Sequence, residues 1–157
     1  MARKNEVKTL IELFADESVN APPHYKQHPS GIECIEVTEH MPFCTGNAVK
    51  YLWRAGLKGD AFTDLKKAVW YIEREIKRID TQGDMTVVKL PETIDPKKIA
   101  EGFSEIIGHA LIKLCASTEL SSNKEGLLWA AKKYIELEIE LLENEKAARI
   151  IMGDSER

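Results

Sequence analysis

Apolar residues recur every three or four positions along most of the chain, which is the spacing typical of amphipathic helices. This pattern predicts a short helix over residues 5–15, a long helix that starts at Asp60 or Thr63 and ends near Ile79, and another over about 122–148. The apolar stripes are Val7, Leu10, Ile11 and Phe14; Leu65, Ala68, Val69, Ile72, Ile76 and Ile79; and Leu127, Leu128, Ala131, Ile135, Ile139 and Leu142.

Two shorter helices are expected between the first and second of these. The segment 32–39 fits a helix or a strand, and its acidic residues at intervals of three favour a helix. Thr45 is the expected N-cap of a helix over 46–55, because a threonine side chain can accept a hydrogen bond from the first turn. Gly56 stands where a helix is expected to stop.

The segment 81–96 is the clearest linker, since it combines a glycine with two prolines. Within it, residues 85–90 also fit a short strand. Asp95 is the expected N-cap of the next helix and Pro96 its first residue, because proline needs no intrahelical hydrogen-bond donor there. This helix is expected to run to about Ala116.

Together these elements predict an all-α protein, a helical bundle built from hairpins. The 157 residues suit a single domain, 1–157, with one hairpin over 22–82 and a second over 94–150. Three cysteines without C-x-x-C spacing are expected to be reduced thiols. No signal peptide pattern and no run of ~20 apolar residues is present, so we expect a cytoplasmic protein.

The two hairpins share a sequence pattern that indicates an internal duplication. The segment KKAVWYIEREI, residues 66–76, aligns with WAAKKYIELEI, residues 129–139, and GNAVKYL, residues 46–52, aligns with GHALIKL, residues 108–114. Helical periodicity can also produce such matches by chance. If the duplication is real, the second hairpin is a degenerate copy, because its positions aligned with Asn47, Lys50 and Arg54 hold His, Ile and Ala.

Basic residues are aligned in the first hairpin although the whole chain has a formal charge of −4. Lys50, Arg54 and Lys58 follow one another at intervals of four, where like charges on a helix repel. Asn47, Lys50, Tyr51 and Arg54 share one helix face, and Lys58 lies just past the helix end. Such a row, about 12 Å long, suits a polyphosphate. The alternative is a solvated face whose cations pair with Asp60, Asp64 and other acids.

The following helix carries a second polar face, with Lys67, Tyr71 and Arg74, that is expected to oppose the first. Aromatic rings near these cations can stack on a nucleobase. Tyr51, Trp53, Trp70 and Tyr71 are the candidates, although tryptophans at helical spacing are more often core or subunit-contact residues.

The loop PPHYKQHP, residues 22–29, offers His24, Tyr25, Lys26 and His28. A histidine there can position a phosphate or act as an acid or base near neutral pH, whereas the common alternative is a solvated side chain. The acidic residues of 32–39 would bind magnesium only if the fold gathered them. The sequence contains no G-x-x-x-x-G-K-[ST] motif, which excludes a P-loop.

In chain order, the segments HY, IECIE, GNAVKYLWRAG and DLKKAVWYIEREI resemble the phage nucleotide kinase family, whose members phosphorylate deoxynucleoside monophosphates without a P-loop. The resemblance covers roughly residues 22–79. It makes 22–82 the expected nucleotide-binding hairpin. The residues that it carries over by position are His24, Tyr25, Asn47, Lys50, Tyr51, Arg54, Asp64, Lys67, Trp70 and Tyr71.

We therefore expect phosphoryl transfer from a nucleoside triphosphate, the only cofactor expected, to a deoxynucleoside monophosphate. The sequence leaves dependence on magnesium open and assigns no metal ligand. We expect His24, Lys50 and Arg54 to be catalytic. The expected nucleotide-binding residues are Tyr25, Asn47, Tyr51, Lys58, Asp64, Lys67, Trp70 and Tyr71.

Three alternatives remain. The chain is a non-catalytic nucleotide-sequestering module that counters a host defence signal, a MazG-like nucleoside triphosphate pyrophosphohydrolase, or a helical interaction protein. Nucleotides are the expected partners in all of these alternatives except the helical interaction protein. We expect no membrane association, and a phage origin would place the protein in the host cytoplasm. A pI near 5.6 argues against general nucleic-acid binding. Aromatic residues left over from a small core predict a homo-oligomer.

Overall fold

A computed structural model of the chain describes residues 28–83, 87–119 and 122–154. These residues form α-helices and no strands, which confirms the expected all-α helical bundle. The helix expected over 5–15 lies outside the described residues. The helices are α1 (Cys34–Thr38), α2 (Phe43–Arg54), α3 (Ala61–Gln82), α4 (Pro96–Ala100), α5 (Glu105–Glu119) and α6 (Lys124–Asp154).

Two helical hairpins enclose one apolar core. Helix α2 packs against α3, and α5 packs against α6; contacts of α3 with α6 and of α2 with α5 join the two pairs. Burying each large aliphatic side chain contributes about 1.5–3 kcal/mol. The most deeply buried are Leu52, Leu65, Ile72, Ile99, Leu111, Leu114, Leu128 and Ile135.

The turn between α2 and α3 is built from a glycine and an aspartate cap. Gly56 has a φ of +80°, a left-handed conformation that glycine adopts without steric cost, and it follows the end of α2 as expected. Of the two caps considered for α3, Asp60 is the N-cap, because its carboxylate accepts hydrogen bonds from the Thr63 backbone N–H at 3.0 Å and the Thr63 hydroxyl at 2.8 Å.

Two predicted helix boundaries were wrong. Thr45 is not the cap of α2 but lies buried in its first turn, since the helix begins at Phe43 with Pro42 as its N-cap. The helix expected from Asp95 to about Ala116 is broken into α4 and α5. At the break, a Cβ on Gly102 would clash with the imidazole ring of His28, so the glycine leaves room for this ring.

The two hairpins are constructed alike around equivalent glycines. A Cβ on Gly46 would lie 3.1 Å from the carbonyl oxygen of Thr38, at the end of the preceding short helix. A Cβ on Gly108 would lie 3.1 Å from the carbonyl oxygen of Ala100, also at the end of a short helix. Each glycine therefore allows close approach of the helix before it. The duplication itself stays a prediction.

The linker after α3 runs beside the end of α5. The backbone N–H of Val88 donates to the carbonyl of Thr118, and that of Leu90 donates to the Glu119 carboxylate. Residues 87–90 form no strand, and the rest of the strand considered there lies outside the described residues. None of the helices described is long and apolar enough to cross a membrane. Self-association stays a prediction; exposed apolar side chains include Leu137 and Leu141 on α6.

Candidate nucleotide site

Three cationic side chains from two helices converge on the ring of Tyr51. The Nζ of Lys50 lies 5.0 Å from the ring centroid, the Cζ of Arg54 lies 4.6 Å from it, and the Nζ of Lys67 lies 5.3 Å from it. The ring of Tyr71 stacks on Tyr51 with centroids 5.6 Å apart. We call these five residues, with Asp64, the Tyr51 cluster.

The helical repeat brings these side chains together. Lys50, Tyr51 and Arg54 are three to four residues apart on α2, so they project from one face. Lys67 and Tyr71 are four residues apart on α3, and the hairpin turn sets the two faces side by side. The opposition of the two polar faces, which the sequence predicted, is therefore a feature of the fold.

Asp64 holds Arg54 within the cluster. Nε and Nη2 of Arg54 donate to the two carboxylate oxygens of Asp64 at 3.2 and 2.8 Å. Only 4% of the Asp64 side chain and 18% of the Arg54 side chain are exposed, so this is a partly buried pair with a fixed geometry. Lys67 lies at 3.9 Å from the same carboxylate, at the limit of an ion pair, and 46% of its side chain is exposed.

Lys50 is oriented by an amide and not by an acid. Its ammonium donates to the side-chain oxygen of Asn47 at 2.8 Å, and the Asn47 amide nitrogen donates to the carbonyl of Phe43 at 2.8 Å. Among the described residues Lys50 forms no ion pair with a carboxylate. Asn47, Lys50 and Phe43 line an open hollow of about 360 Å³, at the lower end of small-molecule site volumes.

The other predicted residues fall in different environments. Lys58 is exposed beyond the end of α2 and is not one of the cations around Tyr51. Trp70 is 56% exposed and meets Tyr71 edge-on at 4.9 Å, so its face is accessible. Trp53 is 2% exposed and belongs to the core. His24, Tyr25 and Lys26 lie outside the described residues.

His28 is packed as a structural residue. Its ring lies 4.7 Å from that of Trp53 and 4.9 Å from that of Phe103, and its Nδ1 accepts a hydrogen bond from the Ser30 backbone N–H. Burial lowers the pKa of His28 below its ordinary value of 6.5, and the backbone of Ile99 opposes this shift. His28 does not line the hollow beside Lys50.

The acidic residues considered for magnesium serve local structure. Glu36 accepts a hydrogen bond from the backbone N–H of Glu33 at 2.7 Å. The expectation that the chain contains no E-x-x-D motif was wrong, because Glu92 and Asp95 have this spacing. Glu92 is exposed, and Asp95 caps α4 by accepting a hydrogen bond from the Lys97 backbone N–H. Within the described ranges, no group of three or more His, Cys, Asp or Glu side chains is arranged to hold a metal ion.

The cysteines are free thiols, as expected. Burial raises the pKa of Cys34 to about 12, despite the opposing effects of Lys50 and of a hydrogen bond with Thr38. Burial and the charge of Glu119 raise the pKa of Cys115 to about 12. Burial, followed by Glu75, also raises the pKa of Cys44. Neutral thiols are poor nucleophiles, so none of the three fits a catalytic role.

Two features of this face were missed from the sequence. Phe43 is 75% exposed and lies 6.2 Å from the ring of Tyr71, which extends the aromatic surface. Lys77 and Arg78, which line a second hollow with the predicted Arg74 farther along α3, were also missed. The second group could have been predicted from the sequence, because residues 67, 71, 74 and 78 follow the helical repeat.

Larger hollows exist, but they do not contain the converging cations. One of about 380 Å³ lies beside His28 and Trp53 and is lined mainly by apolar residues. Another, of about 700 Å³, lies between the start of α3 and the last turns of α6, where Lys146 and Arg149 are outnumbered by the carboxylates of Asp60, Glu143 and Glu145. The chemistry of anion binding therefore favours the Tyr51 cluster over either cavity.

A protein family model matches the segment that contains the Tyr51 cluster. Residues 19–73 match the model of a family described as a protein of unknown function (DUF3310). This range is about a third of the chain and contains all six residues of the Tyr51 cluster. No curated protein and no solved structure matches the chain. The family description names no activity, so the resemblance to phage nucleotide kinases stays a prediction.

Proposed function

We propose that this protein binds a nucleotide at the Tyr51 cluster and transfers a phosphoryl group from a nucleoside triphosphate to a deoxynucleoside monophosphate. The observation that carries the proposal is the convergence of Lys50, Arg54 and Lys67 within 5.3 Å of one ring. Any two of these cations lie within about 10 Å of each other, so their charges repel. A bound phosphate dianion relieves that repulsion.

The second hairpin supports this interpretation as an internal comparison. Ala110, Leu114, Ala131 and Ile135 are buried in it as their counterparts are in the first hairpin. The positions aligned with Lys50 and Arg54 are nevertheless Ile112 and Ala116. Packing of a hairpin of this kind does not require the cations, which favours a role in ligand binding.

Phosphoryl transfer depends mainly on positioning the two nucleotides and on neutralising the charge of their phosphates. An oxygen of the acceptor monophosphate attacks the γ-phosphorus, and the bond from this phosphorus to its bridging oxygen breaks. Both nucleotides leave as diphosphates. Lys50 and Lys67 would bind the non-bridging oxygens, while Arg54, oriented by Asp64, supplies fixed positive charge. Trp70 and Phe43 offer exposed aromatic faces for the base.

Calorimetric titration with dTMP, dGMP and a non-hydrolysable triphosphate tests binding, and chromatography of mixtures with ATP tests turnover. Formation of dTDP or dGDP supports the kinase, and release of pyrophosphate from a triphosphate alone would identify hydrolysis instead. Lys50→Met should abolish product, whereas Lys98→Met, at an exposed position on α4, is the matched control that retains it. Assays with and without EDTA establish whether added magnesium is needed.

A second candidate function is nucleotide sequestration without turnover. The observation that favours it is the pairing of two Arg54 nitrogens, Nε and Nη2, with Asp64, since donors that bind this carboxylate are not available to a phosphate. Tight binding of a nucleotide with no product at any metal concentration would select this function. If no nucleotide binds, both proposals fail; a ligand at 100 times its Kd should stabilise the fold by about 2.7 kcal/mol.

A further inference from the structure

A second basic hollow lies on the C-terminal half of α3, away from the Tyr51 cluster. It has a volume of about 280 Å³ and is lined by Cys44, Arg74, Lys77, Arg78, Thr81 and Gln82. Arg78 is paired with Glu75, a carboxylate that is 1% exposed, at 2.7 and 3.1 Å. Arg74 and Lys77 are exposed and add two positive charges at the rim.

Exposed aromatic rings join the two basic groups. Phe43 and Trp70 are 75% and 56% exposed, and both rings contact Tyr71, at 6.2 and 4.9 Å between centroids. Along α3, Lys67, Tyr71, Arg74 and Arg78 follow one ridge, which spans about 16 Å at helical rise. Along α3, this surface therefore carries a cationic group, then aromatic rings, then a second cationic group.

Positive charge is concentrated in the segment that forms this face, even though the chain as a whole is acidic. Residues 50–78 include eight Lys or Arg and four Asp or Glu, whereas the whole chain has 22 and 26. Two of those four acids, Asp64 and Glu75, are buried in pairs with arginines. The overall pI argues against a protein that is basic all over, but the local surface decides what this face attracts.

From this arrangement we propose that the α2–α3 face binds single-stranded nucleic acid. Successive phosphates would lie along the Tyr51 cluster and the Arg74–Lys77 hollow, with bases stacked on Phe43 and Trp70. Cationic grooves with accessible aromatic faces are the usual means of holding single strands, whose bases are free to stack. A duplex keeps its bases stacked inside and cannot use the rings. A mononucleotide needs only the Tyr51 cluster and an adjoining ring for its base, and not the Arg74–Lys77 hollow, so this inference goes beyond the proposed function.

The test uses the full chain and a fluorescein-labelled oligothymidylate of about six nucleotides, followed by anisotropy at several salt concentrations. The hollow variant is Arg74→Gln with Lys77→Gln. Its matched control is Lys97→Gln with Lys98→Gln, which removes the same charge from exposed positions on α4. Thermal unfolding verifies that both variants fold.

We expect the hollow variant to weaken oligonucleotide binding about tenfold or more and to reduce the salt slope by about two, one for each phosphate contact. The control should bind as the wild type does, and dTMP affinity should be unchanged in both variants. Trp70→Ala should weaken the oligonucleotide complex by a similar factor, because a stacked base is lost.

Three results would overturn the inference: an oligonucleotide affinity no greater than that of dTMP, equal binding of a duplex of the same length, or equal losses in the hollow variant and the control. The two proposals fail separately. Oligonucleotide binding without dTMP binding or turnover removes the nucleotide function alone, and dTMP binding that does not strengthen with added nucleotides removes the single-strand site alone.

Discussion

Arg54 and Asp64 face each other across the turn between α2 and α3, joined by two parallel hydrogen bonds of 2.8 and 3.2 Å. The pair lies at the centre of the candidate site and also connects the two helices of the hairpin. It therefore contributes to stability and ligand binding in different ways, which substitutions can separate.

Asp64→Asn should destabilise the fold by about 2 kcal/mol and strengthen binding of inorganic phosphate. The amide keeps one hydrogen bond to Arg54, but the guanidinium loses its counter-charge while partly buried. Urea unfolding and phosphate titration measure the two effects. Asp80→Asn, an exposed change on the same helix, should alter neither. Unchanged stability of Asp64→Asn would contradict the importance of the pair.

Lys50→Met should lower nucleotide affinity at least tenfold and change the free energy of unfolding by less than about 0.5 kcal/mol, since its side chain is half-buried and bonded only to Asn47 among the described side chains. Calorimetry measures the change in affinity, and urea unfolding measures the change in stability. Lys98→Met changes the same residue type at an exposed position on α4 and should retain affinity. Equal losses of affinity in the two variants would show that binding depends on the net positive charge and not on the position of Lys50.

Stability should fall on acidification in a way that depends on His28. Burial depresses its pKa in the folded state, so below 6.5 the unfolded chain takes up a proton that the folded chain resists. Stability present above pH 6.5 is therefore lost progressively as the pH falls towards the lower, folded-state pKa. Urea unfolding from pH 8 to 5 should show a shallower decline for His28→Gln, whereas identical slopes would refute the effect.

Gly102→Ala should cost about 1–3 kcal/mol, because the new Cβ would lie 2.1 Å from Nε2 of His28 in a closely packed aromatic site. Thermal or urea unfolding measures the loss. Combining it with His28→Ala should recover much of that cost, since the opposing ring is gone. Additive losses in the double variant would place the strain elsewhere.

Thiol labelling should distinguish the three cysteines by access. Cys44 is half-buried, whereas Cys34 and Cys115 are 3% exposed and have pKa values raised to about 12. With iodoacetamide at pH 8, mass spectrometry should find Cys44 modified first and the other two only after unfolding. Rapid labelling of Cys34 in the folded protein would contradict the buried position of α1.

Helical periodicity predicted the architecture well because each long helix buries a continuous apolar stripe. Leu65, Ala68 and Ile72 are all buried, as the pattern required. Local capping rules were less reliable. Thr45 has a suitable side chain for a cap, but Pro42 already starts the helix one turn earlier. The break after α4 was not predicted either, and there Gly102 leaves room for the ring of His28, which is distant in sequence.

The site was predictable in part for the same reason. Spacing alone placed Lys50, Tyr51 and Arg54 on one face, and the hairpin turn implied an opposing face with Lys67 and Tyr71. The sequence offered Asp64 as one of several acids that could pair with the cations, but it did not determine that Asp64 would hold Arg54, ten residues away. Nor did it reveal that Phe43 would be exposed beside Tyr71, because a lone phenylalanine ordinarily indicates core.

The sequence by itself determined the helical class, the hairpin order and the row of positive charge, because periodicity, turn residues and charge spacing act within a few residues of one another. Only the tertiary structure decided which cations meet, which are neutralised and which aromatic rings remain accessible. Those outcomes depend on distances between helices, and Coulomb and packing energies follow those distances whatever the separation along the chain.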